Sequence, residues 1–137
     1  MKYLQSKYLL DTHIWLWLAL EPQLLRRDVA DSLADPDNEL WLSPVSVWEV
    51  LLLAEKGRIT IGNDPHTWVR KALEGQLIRE ARLSYEVAME SRRLDLPHQD
   101  PADRFIAATA LVHGLTLITS DQHLIACKAV RTLSNRS

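Results

Sequence analysis

The sequence predicts an α/β fold in which helices cover both faces of a parallel β-sheet. Short apolar runs alternate along the chain with longer segments that carry helix-capping residues at their starts. The chain has 137 residues, of which 47% are hydrophobic and 25% are charged. This composition is typical of a folded domain rather than a disordered segment, so residues 1–137 are interpreted as a single domain.

Five short stretches with apolar residues are the predicted strands. They cover residues 8–10, 40–42, 77–83, 115–119 and 130–133. A helical segment follows each of the first four stretches, which is the order expected when crossover helices join parallel strands. The alternation of strand and helix is therefore the main reason for predicting a parallel sheet.

The predicted helices begin at residues that cap a helix N-terminus, such as Thr12 and Ser43, or have proline in the first turn. Gly57 and Gly114 mark two of the helix ends. The helices cover residues 12–20, 23–34, 44–57, 65–75, 84–94 and 101–113, and a short helix follows Asp121.

The charge and the cysteine content exclude several classes of protein. The formal net charge of −2 argues against tight, purely electrostatic binding of nucleic acid, although a local basic patch remains compatible with it. The single cysteine, Cys127, cannot form an internal disulfide, which fits a reducing compartment. Asp11 and His13 interrupt the apolar run near the N-terminus, which is too short and too polar for a membrane span or a secretory signal. We therefore expect a cytoplasmic protein.

Four acidic residues are predicted to meet at one end of the sheet. Asp11 ends the first strand and Asp121 follows the fourth, while Glu49 and Asp103 lie on helices beside strands. Ligands of open parallel sheets bind outside the carboxyl ends of the strands, where the strand order reverses. Clustered carboxylates repel one another, and Mg²⁺ or Mn²⁺ removes this penalty because both ions prefer carboxylate oxygens. The placement indicates a metal site that activates water for attack on a phosphodiester.

Each acid also has a structural interpretation that the sequence leaves open. Helix caps, helix starts and turns are the roles available to Asp11, Asp100, Asp103 and Asp121. Glu49 is harder to explain in this way because apolar residues surround it along its helix, and a buried carboxylate needs a partner. Arg104 is one possible structural partner for Glu49.

Other residues have two interpretations. Trp15 and Trp17 point to different faces of one helix, so either one lies in the core while the other is available to a partner, or both are buried between helices. His13 and His98 lie near the acids in sequence. Basic residues interleaved with glutamates indicate either a solvated surface, which is favoured, or a track for a phosphate backbone. They are Arg70, Lys71, Arg79, Arg82, Arg92 and Arg93.

Four stretches of the chain resemble the motifs of the PIN-domain ribonucleases, specifically the VapC-type toxins of bacterial toxin–antitoxin pairs. They are YLLDTHIWLW, SPVSVWEV, HQDPADRFIAATAL and TLITSD. The resemblance implies a PIN-like fold with a central parallel sheet of about five strands flanked by helices. It implies metal-dependent cleavage of RNA, with Mg²⁺ or Mn²⁺ as the cofactor. It also implies a VapB-type antitoxin and a homodimer.

The resemblance further assigns roles to the acids. Asp11 and Asp103 match the most direct metal ligands, and Glu49 and Asp121 complete the acidic cluster. Thr119 matches a residue that orients the site, and Asp100 is assigned more to capping than to the cluster. The chain departs from many relatives at Gln99, Ala102 and Leu53, where an Arg, an aromatic residue and a Lys are common. These departures affect the expected affinity for RNA rather than the metal site.

Two other functions remain open from the sequence. The first is a phosphatase with Asp11 as nucleophile, although the second Asp usual in that class is replaced by His13. The second is a catalytically silent PIN-fold module that binds RNA or protein, against which the complete set of four acids argues.

Overall fold

A computed structural model gives the structure of the protein and describes residues 5–97 and 100–136. The predictions made for His98 and Gln99 lie outside these residues. The strands are β1 (Lys7–Leu10), β2 (Glu39–Leu42), β3 (Arg79–Glu80), β4 (Thr116–Thr119) and β5 (Thr132–Ser134). The helices are α1 (Thr12–Leu20), α2 (Arg27–Ala34), α3 (Pro44–Glu55), α4 (Pro65–Gly75), α5 (Tyr85–Arg93), α6 (Pro101–His113) and α7 (Gln122–Ile125).

All five strands form one parallel sheet in the order β3-β2-β1-β4-β5. The chain moves from β1 toward one edge through β2 and β3, and it later returns to the other side of β1 with β4 and β5. The strand order therefore reverses between β1 and β4, where Leu10 pairs with Ile118. A ligand crevice is expected outside the carboxyl ends of these two strands.

Apolar side chains cover both faces of the sheet, as predicted for an α/β fold. In β1, Leu9 belongs to one core cluster and Leu10 to the other, and Leu117 and Ile118 divide in the same way in β4. Successive residues of a strand point to opposite faces, so both faces of the central strands are buried. The α/β prediction is therefore confirmed. None of the described helices is long and apolar enough to cross a bilayer.

The helix predicted over residues 23–34 is wrong at its start. A 3₁₀ turn covers Pro22–Leu24, the backbone is extended at Leu25, and α2 begins only at Arg27. The side chain of Asn135 accepts a hydrogen bond from the backbone N–H of Arg26 and donates one to the carbonyl of Leu24. These hydrogen bonds pair backbone groups at the break, so a distant residue stabilises the interruption.

Other boundaries differ from the prediction by a few residues. The third strand is limited to Arg79–Glu80. Its start is later than predicted because Leu77 has a left-handed backbone with φ of 52° and turns the chain before the strand begins. The last strand is Thr132–Ser134 rather than 130–133. The residue that caps α1 is Asp11 rather than Thr12, since the Asp11 side chain accepts the hydrogen bond from the Thr12 N–H.

Candidate active site

The four predicted acids line a single crevice at the carboxyl ends of β1 and β4. Its volume is about 390 Å³. Its lining residues are Asp11, Thr12, His13, Trp17, Glu49, Asp100, Asp103, Ser120 and Asp121. The crevice therefore lies where the strand order reverses and brings together carboxylates from the first, middle and last thirds of the chain.

Asp11 is held at the end of β1 by hydrogen bonds to both carboxylate oxygens. Its Oδ1 accepts from the Thr12 N–H at 2.9 Å, and its Oδ2 accepts from the Thr119 hydroxyl at 2.6 Å. Only 9% of Asp11 is exposed, and burial raises its pKa although both hydrogen bonds act in the opposite direction. Asp11 is thus a rigidly oriented carboxylate that carries a desolvation penalty.

The hydroxyl of Thr119 connects two acids of the crevice. It donates to Asp11 and accepts a hydrogen bond from the Asp121 N–H at 3.0 Å. The Asp121 carboxylate accepts from the backbone N–H groups of His123 and Leu124, so it caps α7. The capping interpretation of Asp121 therefore holds, and the same side chain also lines the crevice.

Glu49 obtains its partner from α1. The Thr12 hydroxyl donates to Glu49 Oε1 at 2.5 Å, and Ser46 Oγ lies 2.9 Å from the same hydroxyl. Since Thr12 has one hydroxyl proton, its bond to Glu49 leaves Ser46 to donate to Thr12. Burial raises the pKa of Glu49, and repulsion from Asp11 and Asp100 adds to this effect. Thr12 and Ser46 were not predicted as site residues, although Thr12 directly follows Asp11 in sequence.

Arg104 does not take the role of neutralising Glu49 that the sequence allowed. Its side chain is 5% exposed and donates hydrogen bonds to the backbone carbonyls of Ser91, Leu94 and Leu96. These carbonyls belong to the end of α5 and the segment that leads to α6. Arg104 therefore organises the chain on the approach to the crevice rather than acting as the partner of the Glu49 carboxylate.

Asp100 and Asp103 bring two further carboxylates to the crevice from the start of α6. Asp100 caps α6 through hydrogen bonds from the Ala102 and Asp103 N–H groups, and it also lines the crevice, so both of its predicted roles are compatible. The pKa of Asp103 is raised to about 7. Burial is the largest cause, followed by repulsion from Asp11, Asp100, Asp121 and Glu49.

The electrostatics of the crevice fit a hard divalent cation held partly through water. Within residues 5–97 and 100–136, no three acidic, histidine or cysteine side chains are arranged to hold a metal ion directly. Mg²⁺ is commonly bound by one or two carboxylates while it keeps several waters. The repulsion that raises the pKa of Asp103 is relieved by a bound cation, so the donor set suits Mg²⁺ or Mn²⁺.

The remaining predictions near the site have mixed outcomes. Trp15 is fully buried in the core, whereas Trp17 is half-buried and lines the crevice with His13. The described residues that line the crevice include none of the predicted basic track. Arg79 and Arg93 instead lie 3.8 Å from the carboxylates of Glu39 and Glu90, as expected of a solvated surface.

Comparisons with known proteins relate the chain to one family. Residues 8–129 match the PIN domain. The chain is 34% identical to Ribonuclease VapC22 of Mycobacterium tuberculosis over 117 residues, which are 85% of this chain and 88% of the relative.

Solved structures share the fold at lower identity. The crystal structure of VapBC2 from Rickettsia felis bound to promoter DNA contains a chain with a TM-score of 0.69 and 16% identity, over 94% of this chain and 98% of that one. VapBC-1 from nontypeable Haemophilus influenzae gives a TM-score of 0.65 at 16% identity, with 94% and 98% coverage.

Proposed function

Because this chain belongs to the PIN-domain family, we propose that it is a metal-dependent endoribonuclease that acts as the toxin of a toxin–antitoxin pair. The observation that carries the proposal is the convergence of Asp11, Glu49, Asp103 and Asp121 on one crevice. The relative named as a ribonuclease supports the activity, and the VapBC complexes among the structural neighbours support the toxin role.

We assign Mg²⁺ or Mn²⁺ to the crevice, held directly by Asp11 and Asp103. When bound, such an ion promotes attack of water on the phosphodiester and stabilises the leaving oxygen. Glu49 and Asp121 orient the surrounding waters and complete the negative charge. Thr119 fixes the Asp11 carboxylate, and Thr12 fixes that of Glu49. Hydrogen bonds of this kind orient metal ligands in other proteins.

The proposal includes the partners and the location. The substrate is RNA, a VapB-type antitoxin is the inhibitory partner, and the toxin forms a homodimer. We further propose that residues 1–137 act as one PIN domain, since β1 and β5, near opposite ends of the chain, belong to the same sheet. A cytoplasmic location fits an RNA substrate and the buried free thiol of Cys127.

The test is RNA cleavage by the purified protein freed of co-purifying partners. We expect cutting with Mg²⁺ or Mn²⁺, no cutting with EDTA, and loss of cutting in Asp11→Asn. Asp31→Asn removes an exposed acid on α2 and serves as the matched control, which should cut normally. Binding of RNA without cutting in any divalent metal would overturn the nuclease and favour a catalytically silent module.

A further inference from the structure

A groove lined largely by apolar and aromatic side chains adjoins the acidic crevice. Its volume is about 330 Å³. It lies between α1, the end of α3 and the loop that follows, and its main lining residues are His13, Trp17, Leu20, Leu53, Arg58 and Ile59. His13 and Trp17 also line the acidic crevice, so the two concave surfaces are continuous.

The residues shared by the two surfaces are aromatic. Trp17 is half-buried, and the centroid of its ring lies 6.1 Å from that of His13, with the ring planes tilted by 53°. The rings are not stacked in parallel on each other. Single-stranded RNA is commonly bound by stacking its bases on tryptophan, tyrosine or histidine rings. The edge shared by the crevice and the groove therefore carries two rings of the types that stack on bases.

The charges of the groove suit a nucleotide placed with its base inward. Arg58 is exposed and carries a guanidinium at the groove, which can pair with a phosphate. Glu21 is the carboxylate among the residues that line the groove, and it can accept hydrogen bonds from the amino or imino groups of a base. The apolar side chains that line the same groove would contact the flat part of the base or the sugar.

We propose that this groove binds the nucleotide next to the scissile phosphate, with its base on Trp17 and its phosphate near Arg58. The proposal rests on the proposed ribonuclease function and names a substrate subsite for it. A nucleotide is favoured over a protein segment because the groove shares His13 and Trp17 with the crevice where the phosphodiester would lie. An RNA strand that leaves the crevice on this side would contact these side chains.

The test combines Trp17→Leu with RNA oligonucleotides that lack one base. After the cut is mapped, kcat/KM is measured on the intact RNA and on versions with an abasic residue at each position flanking the cut. We expect Trp17→Leu to lower kcat/KM on intact RNA by about 5- to 150-fold, the range for loss of stacking on one base. On RNA abasic at the position that stacks, the variant and the wild type should differ little.

Tyr85→Leu is the matched control, since Tyr85 is an aromatic residue on α5 that is 91% exposed and lines neither the crevice nor the groove. It should cut every substrate as the wild type does. Equal losses for Trp17→Leu on all abasic substrates would overturn the subsite. If Trp17→Leu cuts RNA normally but binds a protein partner less well, the groove is a protein-binding surface instead.

Binding provides a readout that does not depend on cutting. The affinity for the same oligonucleotides is measured over a range of salt concentrations in the Asp11→Asn background, which should not cut RNA. Arg58→Gln should reduce the slope of log affinity against log salt by about 0.7, as for one lost phosphate contact in single strands, whereas Arg27→Gln, at an exposed position on α2, should not. If the wild type cuts no RNA, the proposed function fails, and an unchanged affinity in Trp17→Leu and Arg58→Gln would reject the subsite as well.

Discussion

Crowding of carboxylates should make the metal-free protein more stable when Asp103 loses its charge. Burial and four neighbouring acids raise the pKa of Asp103 from 3.8 to about 7. A carboxyl group whose pKa is raised by folding contributes stability below pH 3.8, and this contribution is lost as the pH rises through about 7. Asp103→Asn keeps the shape of the side chain and removes the titration.

The size of the effect follows from the shift. A rise of about three pKa units corresponds to about 4 kcal/mol in a dry site. Asp103 is only half-buried, so solvent screening reduces the expected value to about 1–2 kcal/mol. In EDTA at about pH 8, the free energy of unfolding of Asp103→Asn should exceed that of the wild type by this amount, and the difference should shrink toward about pH 4.

Urea denaturation followed by tryptophan fluorescence measures this difference at several pH values. Asp31→Asn, which removes an exposed acid on α2, is the control and should show no such pH-dependent gain. Added Mg²⁺ should stabilise the wild type more than Asp103→Asn, because the ion relieves the repulsion. A lower stability of Asp103→Asn than of the wild type at about pH 8 in EDTA would refute the crowding argument.

Three further substitutions test the residues that support the acids. Thr12→Val removes the hydrogen bond that the Thr12 hydroxyl donates to Glu49, so the Mg²⁺ affinity measured by calorimetric titration should fall by about 10-fold. Thr12→Ser keeps the hydroxyl and should retain the affinity. Equal affinities of Thr12→Val and the wild type would refute the role of Thr12 in orienting Glu49. Thr119→Val removes the hydrogen bond from the Thr119 hydroxyl that lowers the pKa of Asp11, so the midpoint pH for Mg²⁺ binding should rise. The midpoint for Thr119→Ser should stay close to that of the wild type, and an unchanged midpoint in Thr119→Val would contradict the prediction. Arg104→Met leaves three carbonyls without their donor and should lower the free energy of unfolding by about 2–4 kcal/mol in urea, with a smaller loss in Arg104→Lys.

The sequence predicted the centre of the fold better than its periphery. β1 and β4 are apolar runs buried on both faces, and such runs are recognisable without tertiary information. The break before α2 was missed because it depends on Asn135, which is more than a hundred residues away and pairs with backbone groups at the break. The start of β3 was predicted too early because Leu77 has a left-handed backbone, a conformation that leucine rarely adopts and that the sequence therefore does not indicate.

The meeting of Asp11 and Asp121 was predictable because topology alone brings the carboxyl ends of β1 and β4 together. The hydrogen bond between Thr12 and Glu49 was not predictable, since it joins two helices whose relative position the sequence does not give. The same applies to Trp17, whose place at the crevice depends on how α1 packs against α3. Sequence patterns thus located the acids, and packing determined which side chains orient them.

The most direct test of the central claim is the initial rate of RNA cleavage in Mg²⁺ for the wild type and four variants. The variants are Asp11→Asn, Glu49→Gln, Asp103→Asn and Asp121→Asn. If the four acids form one metal-dependent centre, each variant should cut at least about 100-fold more slowly than the wild type. Cleavage by the wild type in EDTA, or a rate near wild type in any of the four variants, would contradict the claim.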